Sequence, residues 1–307
     1  MRELEEYKGK RVILMACSKC NVSCTHCYIG YKGNRDPQEL AELTQKFVEE
    51  GKLVRIDGAE VLTDLEYLKA YKIAEQEWIM SNGLRIFQEP EVIDIMKENG
   101  IDTVYMSYHF GIQDSLNKIT SAMLDEVIKL LREKGMKIVL MTTITNQNVS
   151  QVENMCDRAY NLGATGIEFN KMFSQGRAKK LENLDLSVAD YRTFFTQLRD
   201  SRTKYDISDL EVARSGTFGE DFVTNNNRFK CSAGLRKVVI TPDNNVYGCT
   251  SICKPGYEIG IYKNGTIYRY KDFFHDRTWC LADKLGSLNI DDITELNNEP
   301  VKSLKRN

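Results

Sequence analysis

Residues 11–28 read RVILMACSKCNVSCTHCY, an apolar run that breaks into a cysteine-rich stretch. Arg11 to Ala16 is short and apolar, with β-branched Val12 and Ile13, and this composition predicts a strand. Four cysteines follow, at 17, 20, 24 and 27. Beyond them, Asp36-Pro37-Gln38-Glu39 reads as an N-cap with proline at the first helical position and an acid at N3. Leu40, Leu43, Phe47 and Val48 supply a helical stripe, and Gly51 ends it.

The same plan recurs downstream. Strands are predicted at Leu53 to Ile56, Glu77 to Met80, Thr103 to Tyr108, Ile138 to Thr145 and Gly166 to Phe173. Between them lie helical stripes: one with Leu65 and Leu68, one from Pro90 to Gly100, and one through Leu124, Val127 and Leu131 that stops at Gly135. Ser150-x-x-Glu153 reads as a capping box for a helix ending at Gly163, and Ser187-x-x-Asp190 for a helix carrying Phe194, Phe195 and Leu198. Six strand–helix units in alternation imply an α/β fold with a parallel sheet and helices outside. Six are too few for a closed eight-fold barrel, so a partial (β/α)6 barrel is expected, with its active site at the C-terminal strand ends.

After about residue 205 the pattern shortens. Arg236 to Thr241, the turn Pro242-Asp243-Asn244-Asn245, and Val246 to Cys249 read as a hairpin, and Asn264-Gly265 marks a second. Residues 1–205 are thus expected to form the barrel, and residues 206–307 a small α+β subdomain.

The chain has 307 residues, 42% hydrophobic and 28% charged, with a net charge of −2. That balance points to a globular protein and gives no sign of a nucleic-acid or membrane partner. Met1 to Lys10 is charged throughout, and no apolar run approaches the roughly 20 residues of a membrane helix. A cytoplasmic location is expected. In a reducing compartment, nine cysteines suggest metal ligation before disulfides. They fall into two groups, 17 to 27 and 231 to 280, with Cys156 between them on the inward stripe of a helix, where packing explains it.

The first group contains Cys20-x3-Cys24-x2-Cys27, followed by Tyr28, directly after the first strand. Three thiolates on a four-iron cluster leave one iron open, as a reactive metal site requires. A structural zinc loop completed by Cys17 is the alternative. The motif and its place resemble the radical S-adenosylmethionine (SAM) superfamily. The resemblance implies a [4Fe-4S] cluster on Cys20, Cys24 and Cys27, with SAM on the fourth iron. One electron would then give methionine and a 5′-deoxyadenosyl radical, which takes a hydrogen atom from substrate. Further features fall at the matching strand ends. Gly58-Ala59-Glu60 resembles the family's Gly-Gly-Glu, with Ala59 and Val61 departing from the usual Gly and Pro. Ser81-Asn82-Gly83 resembles Thr-Asn-Gly, Ser107 stands where a ribose-contacting Ser is common, and Gly176-Arg177-Ala178 matches a motif of peptide-modifying members. By this resemblance His26, Tyr28, Gly58, Ala59, Glu60, Ser81, Asn82, Ser107 and Arg177 line the SAM site, with Arg177 as a fork for the carboxylate. The likeness covers about residues 11 to 178.

Cys231, Cys249, Cys253 and Cys280 resemble the C-terminal twitch or SPASM-like subdomains, with Asn244 in place of the usual turn glycine. Asn tolerates positive φ, so the turn is expected to survive. The resemblance implies a second, auxiliary [4Fe-4S] cluster; a zinc knot or buried thiols are the alternatives. Cys253 is either the fourth ligand or a hydrogen-atom donor to a substrate radical. Members with this layout oxidise, cross-link or epimerise peptides, or act on carbohydrates and aminoglycosides. About ten residues precede the first strand, so leader binding would fall to a separate protein. A flavodoxin- or ferredoxin-type donor would supply the electron. A non-catalytic Fe–S sensor or scaffold is the reading from another class. His109 and His275 are expected to be structural.

Overall fold

The computed structural model describes residues 2–116, 119–173, 175–215 and 231–273. Cys280 and His275 therefore lie outside the described residues. The chain opens with β1 (Leu4–Glu6) and β2 (Arg11–Met15). Helix α1 (Pro37–Glu49) follows, and then β3 (Leu53–Asp57), which pairs with β2 in parallel from Arg11 opposite Leu53 to Met15 opposite Asp57. Five further strands form a second parallel sheet: β4 (Trp78–Ser81), β5 (Thr103–Ser107), β6 (Lys137–Ile144), β7 (Gly166–Lys171) and β8 (Glu211–Arg214). Seven helices accompany them: α2 (Leu68–Ile73), α3 (Leu84–Gln88), α4 (Val92–Glu98), α5 (Gln113–Leu116), α6 (Ser121–Glu133), α7 (Val152–Leu162) and α8 (Val188–Lys204).

The period-two burial of the strands divides inside from outside. On β6, Ile138, Leu140, Thr142 and Ile144 are buried while Val139, Met141 and Thr143 are half-buried. The buried set joins Val12, Leu14, Ile56, Val104 and Ile167 in the main core under the helices. Helix α1 contributes Leu40, Leu43, Thr44 and Phe47 to its buried face, whereas Val48 lies at the stripe's edge, 37% exposed. Its start is fixed as the sequence indicates: Asp36 accepts from the Gln38 and Glu39 N–H groups at 2.9 and 3.1 Å. Ser187 and Asp190 form their capping box. Ser150 and Glu153 do not. A turn of 3₁₀ helix at Val149–Gln151 precedes α7, and the Glu153 N–H is met by Gln197 Oε1 at 3.2 Å. Asn148 takes the Thr145 N–H at 2.9 Å and sets this tighter entry.

Three further features depart from the sequence reading. Strand β8 joins β7 in parallel, so the barrel sheet runs past residue 205. Strand β1 pairs antiparallel with β12 (Thr266–Tyr270). The C-terminal hairpins are not a detached appendage. β9 (Lys237–Ile240) pairs in parallel with β2, and β10 (Asn245–Tyr247), β11 (Gly260–Lys263) and β12 extend that sheet outward to β1. The β9–β10 turn holds Asn244 at φ +65°, as the replacement of glycine by asparagine suggested.

No ladder joins β3 to β4. Gln76 stands in for one. Its Oε1 accepts from Ile56 N at 2.7 Å, and its Nε2 donates to Ile56 O at 3.1 Å and Trp78 O at 3.0 Å. Arg55 stacks across the same seam, 4.5 Å from the Trp78 ring centre. Truncating Gln76 strands three backbone groups in a buried seam, so Gln76→Ala should cost about 2–4 kcal/mol in urea unfolding. A loss below about 0.5 kcal/mol, the level of an ordinary surface substitution, would mean that water or a direct ladder satisfies those groups.

Candidate functional site

The segment after β2 leaves the strand at Ala16 and returns to it at Arg35, whose N–H donates to Ala16 O at 2.8 Å. Ser18 N–H bonds Gly33 O at 2.9 Å, and Tyr31 Oη donates to Cys17 O at 2.8 Å. The closed loop carries Cys20, Cys24 and Cys27, all half-buried, at the C-terminal end of the parallel strands. Cys17 is different. It is buried, and its thiol donates to Lys19 O and Glu60 O, both at 3.7 Å. Gly58 packs beside it, where a Cβ would come within 3.2 Å of the Cys17 sulfur. Cys17 is a packing residue of the main core.

The remaining motifs converge on this loop. Asn82 Nδ2 donates to Cys20 Sγ at 3.6 Å and to Asn21 Oδ1 at 2.8 Å. Gly176, at φ +58°, lies so close that a Cβ would stand 2.7 Å from Cys27 O. Arg177 N–H donates to that same carbonyl at 2.9 Å, and its Nε donates to Cys24 O at 2.7 Å. Arg177 Nε is thus committed to the cysteine loop, which leaves its terminal nitrogens for a carboxylate. Glu60 is 1% exposed and ties two strand ends together: Oε1 accepts from Ser81 Oγ at 3.0 Å, Oε2 from Asn82 N–H at 2.7 Å. Burial pushes its carboxyl up to about 7, against the pull of those donors. Ala59 N–H bonds Cys17 O at 2.8 Å, and Ser107 ends β5, half-buried, beyond Ser81.

Tyr28 keeps 38% of its surface open while protein walls its other sides. That surround lifts its hydroxyl above the usual phenol range, with Asp57 and the thiols of Cys249, Cys253 and Cys27 adding to the effect. It stands between the two cysteine groups, and its ring centre is 6.0 Å from that of Phe173. The second group is divided. Cys231 and Cys249 pack against a cluster of Phe173, Ala233 and Ile252. Cys253 lies in another cluster, with Ile13, Met15, Tyr31, Val239 and Tyr247, and its thiol donates to Cys249 O at 3.3 Å. Cys156 is fully buried in α7, and desolvation raises its thiol to about 11.

Among the described residues, no three His, Cys, Asp or Glu side chains are placed to hold a single metal ion. A four-iron cluster takes one thiolate per iron and needs its ligands further apart. The first loop suits such a group: three half-buried thiols, an amide donor on Cys20, a glycine-lined close approach, and a buried His26 Nδ1 with no protein partner. Sequence reasoning missed Asp57, 6% exposed and bridged to Arg55 at 2.9 Å, although it directly precedes Gly58-Ala59-Glu60. It also missed Arg35, which links the loop to the C-terminal hairpin.

Residues 16–159 match the family model of the radical SAM superfamily. The sporulation killing factor maturation protein SkfB of Bacillus subtilis (strain 168) is 25% identical over 242 residues, which covers 72% of this chain and 57% of that protein. Fe-coproporphyrin III synthase of Methanosarcina barkeri (strain Fusaro / DSM 804) is 29% identical over 195 residues, covering 57% of this chain and 47% of the synthase. The chain spans about half the length of these curated relatives. Streptococcus suis SuiB bound to precursor peptide SuiA shares the fold, with a TM-score of 0.64 at 16% identity over 81% of this chain and 61% of SuiB. Residues 16–159 form a radical SAM domain, and a [4Fe-4S] cluster and SAM are the cofactors of that domain. No helix among the described residues is long and apolar enough to cross a membrane.

The Glu60 carboxyl supplies a pH test. In the folded chain it holds its proton up to about 7, in the unfolded chain only to about 4.5. The stability of the protonated form is full below 4.5 and is lost as pH rises through about 7. In iron-free protein, urea unfolding of wild type should therefore weaken relative to Glu60→Gln across that window. Parallel pH profiles would contradict a buried, elevated Glu60.

Proposed function

We propose that this chain holds a [4Fe-4S] cluster on Cys20, Cys24 and Cys27 and modifies a peptide by radical chemistry. When bound, the cluster and SAM supply the 5′-deoxyadenosyl radical that takes a hydrogen atom from substrate. The observation that carries this reading is the convergence of Asn82, Arg177, Gly176 and Glu60 on one half-buried three-cysteine loop. The Asn82 amide stabilises the Cys20 thiolate. Arg177 donates to the Cys24 and Cys27 carbonyls, and so fixes the backbone that carries those thiols. Gly58, Ala59, Glu60, Ser81, Asn82, Ser107, His26, Tyr28 and the Arg177 terminal nitrogens surround the SAM position.

A peptide substrate draws on the names of two similar proteins, a killing-factor maturation protein and a structure bound to a precursor peptide. The match to Fe-coproporphyrin III synthase favours a second reading, a small molecule as substrate. A flavodoxin- or ferredoxin-type donor and a separate leader-binding protein complete the scheme.

An auxiliary [4Fe-4S] cluster takes Cys231 and Cys249, which share one apolar cluster, together with Cys280. Cys253 lies apart, toward the barrel and Tyr28, and is assigned as hydrogen-atom donor in an epimerisation. Anaerobic reconstitution tests these assignments by iron and sulfide count. Wild type should hold about 8 iron, the Cys20/Cys24/Cys27→Ala variant about 4, and Cys253→Ala about 8. A wild type with about 4 iron would remove the auxiliary cluster. Iron loss in Cys253→Ala would make that thiol a ligand.

A further inference from the structure

His109 has no part in the scheme so far. It lies two residues beyond β5, 5% exposed, with its ring centre 4.4 Å from that of His26 and the planes at 79°. Its own backbone N–H donates to Gln113 Oε1 at 2.8 Å, and Thr143 N–H donates to its Nδ1 at 3.1 Å. A neutral imidazole has one acceptor nitrogen and one N–H. Acceptance at Nδ1 places the proton on Nε2. Among the described residues nothing accepts from His109 Nε2.

His26 gives an independent pointer to a ligand. Its Nδ1 is buried without a hydrogen-bond partner, a state that native interiors rarely leave unfilled. It stands between Cys24 and Cys27, so the His26–His109 pair borders the cysteine loop. We propose that His109, fixed by the Thr143 N–H as the Nε2–H tautomer, donates a hydrogen bond to an acceptor atom of SAM bound over that loop. Its edge against His26 holds the ring that closes the other side. This rests on the radical SAM reading above.

Equilibrium dialysis with reconstituted wild type, His109→Phe and His109→Gln tests it. Phenylalanine keeps a ring without a donor, and glutamine restores an amide N–H. The Kd for SAM should rise about tenfold in His109→Phe and recover most of that loss in His109→Gln, with iron content unchanged. Long-range 15N–1H NMR of iron-free wild type should find the His109 proton on Nε2, whatever the variants do. Equal SAM affinity in wild type and His109→Phe, or the proton on Nδ1, overturns the proposal and leaves the radical SAM reading intact. A reconstituted wild type that binds no SAM overturns that reading too.

Discussion

A mixed sheet ending in β3 and a parallel sheet beginning with β4 meet without a backbone ladder, and side chains must carry that join. Strand edges left unpaired in an interior are costly. Gln76 satisfies the lower part of the seam through Ile56 and Trp78, and Glu60 closes the upper part through Ser81 and Asn82. The site stands on this seam. Gly58 and Glu60 come from one bank, Ser81 and Asn82 from the other, and Asn82 alone reaches across to Cys20. Fixing the two banks fixes the amide on that sulfur. The seam also explains why a buried carboxylate with a raised proton affinity is tolerated: both its oxygens are bonded to groups that would otherwise be stranded.

A second constraint ties the cysteine loop to the far end of the chain. The Arg35 side chain is fully buried, pairs with Glu39 at 2.6 Å, and donates to Thr241 O at 2.8 Å and Asn244 Oδ1 at 3.1 Å. Its carbonyl accepts from Tyr67 Oη at 2.7 Å. One residue thus joins the end of the loop, the start of α1 and the turn that leads into β10 and Cys249. Together with the β2–β9 ladder, it sets the separation of the two cysteine groups. Tyr28 and Phe173 stand between them.

Much of this was legible in the sequence, and the failures have physical causes. The strand–helix alternation was clear because apolar residues recur with period two in β6 and helical period in α1 and α6. Caps at Asp36 and Ser187 were readable because their partners lie within three residues. The β1 and β8 strands were not, since three or four residues such as Leu4–Glu6 carry too little pattern, and their pairing depends on distant segments. The same holds for β9 beside β2. At the site, Cys20, Cys24, Cys27, Glu60 and Asn82 were singled out by their order along the strand ends. The split of Cys253 from Cys249, four residues away, was not, because it follows from which apolar cluster each side chain enters. Arg35 escaped notice, and His109 was expected to be structural, because their partners, Thr241 and Thr143, lie far along the chain.

The central claim is that this loop supports reductive cleavage of SAM. The direct measurement is 5′-deoxyadenosine released by reconstituted, chemically reduced protein given SAM without oxygen. Wild type should form it over time, together with methionine, and the Cys20/Cys24/Cys27→Ala variant should form none. A wild type that carries its clusters yet forms none would contradict the account and leave a non-catalytic Fe–S protein in its place.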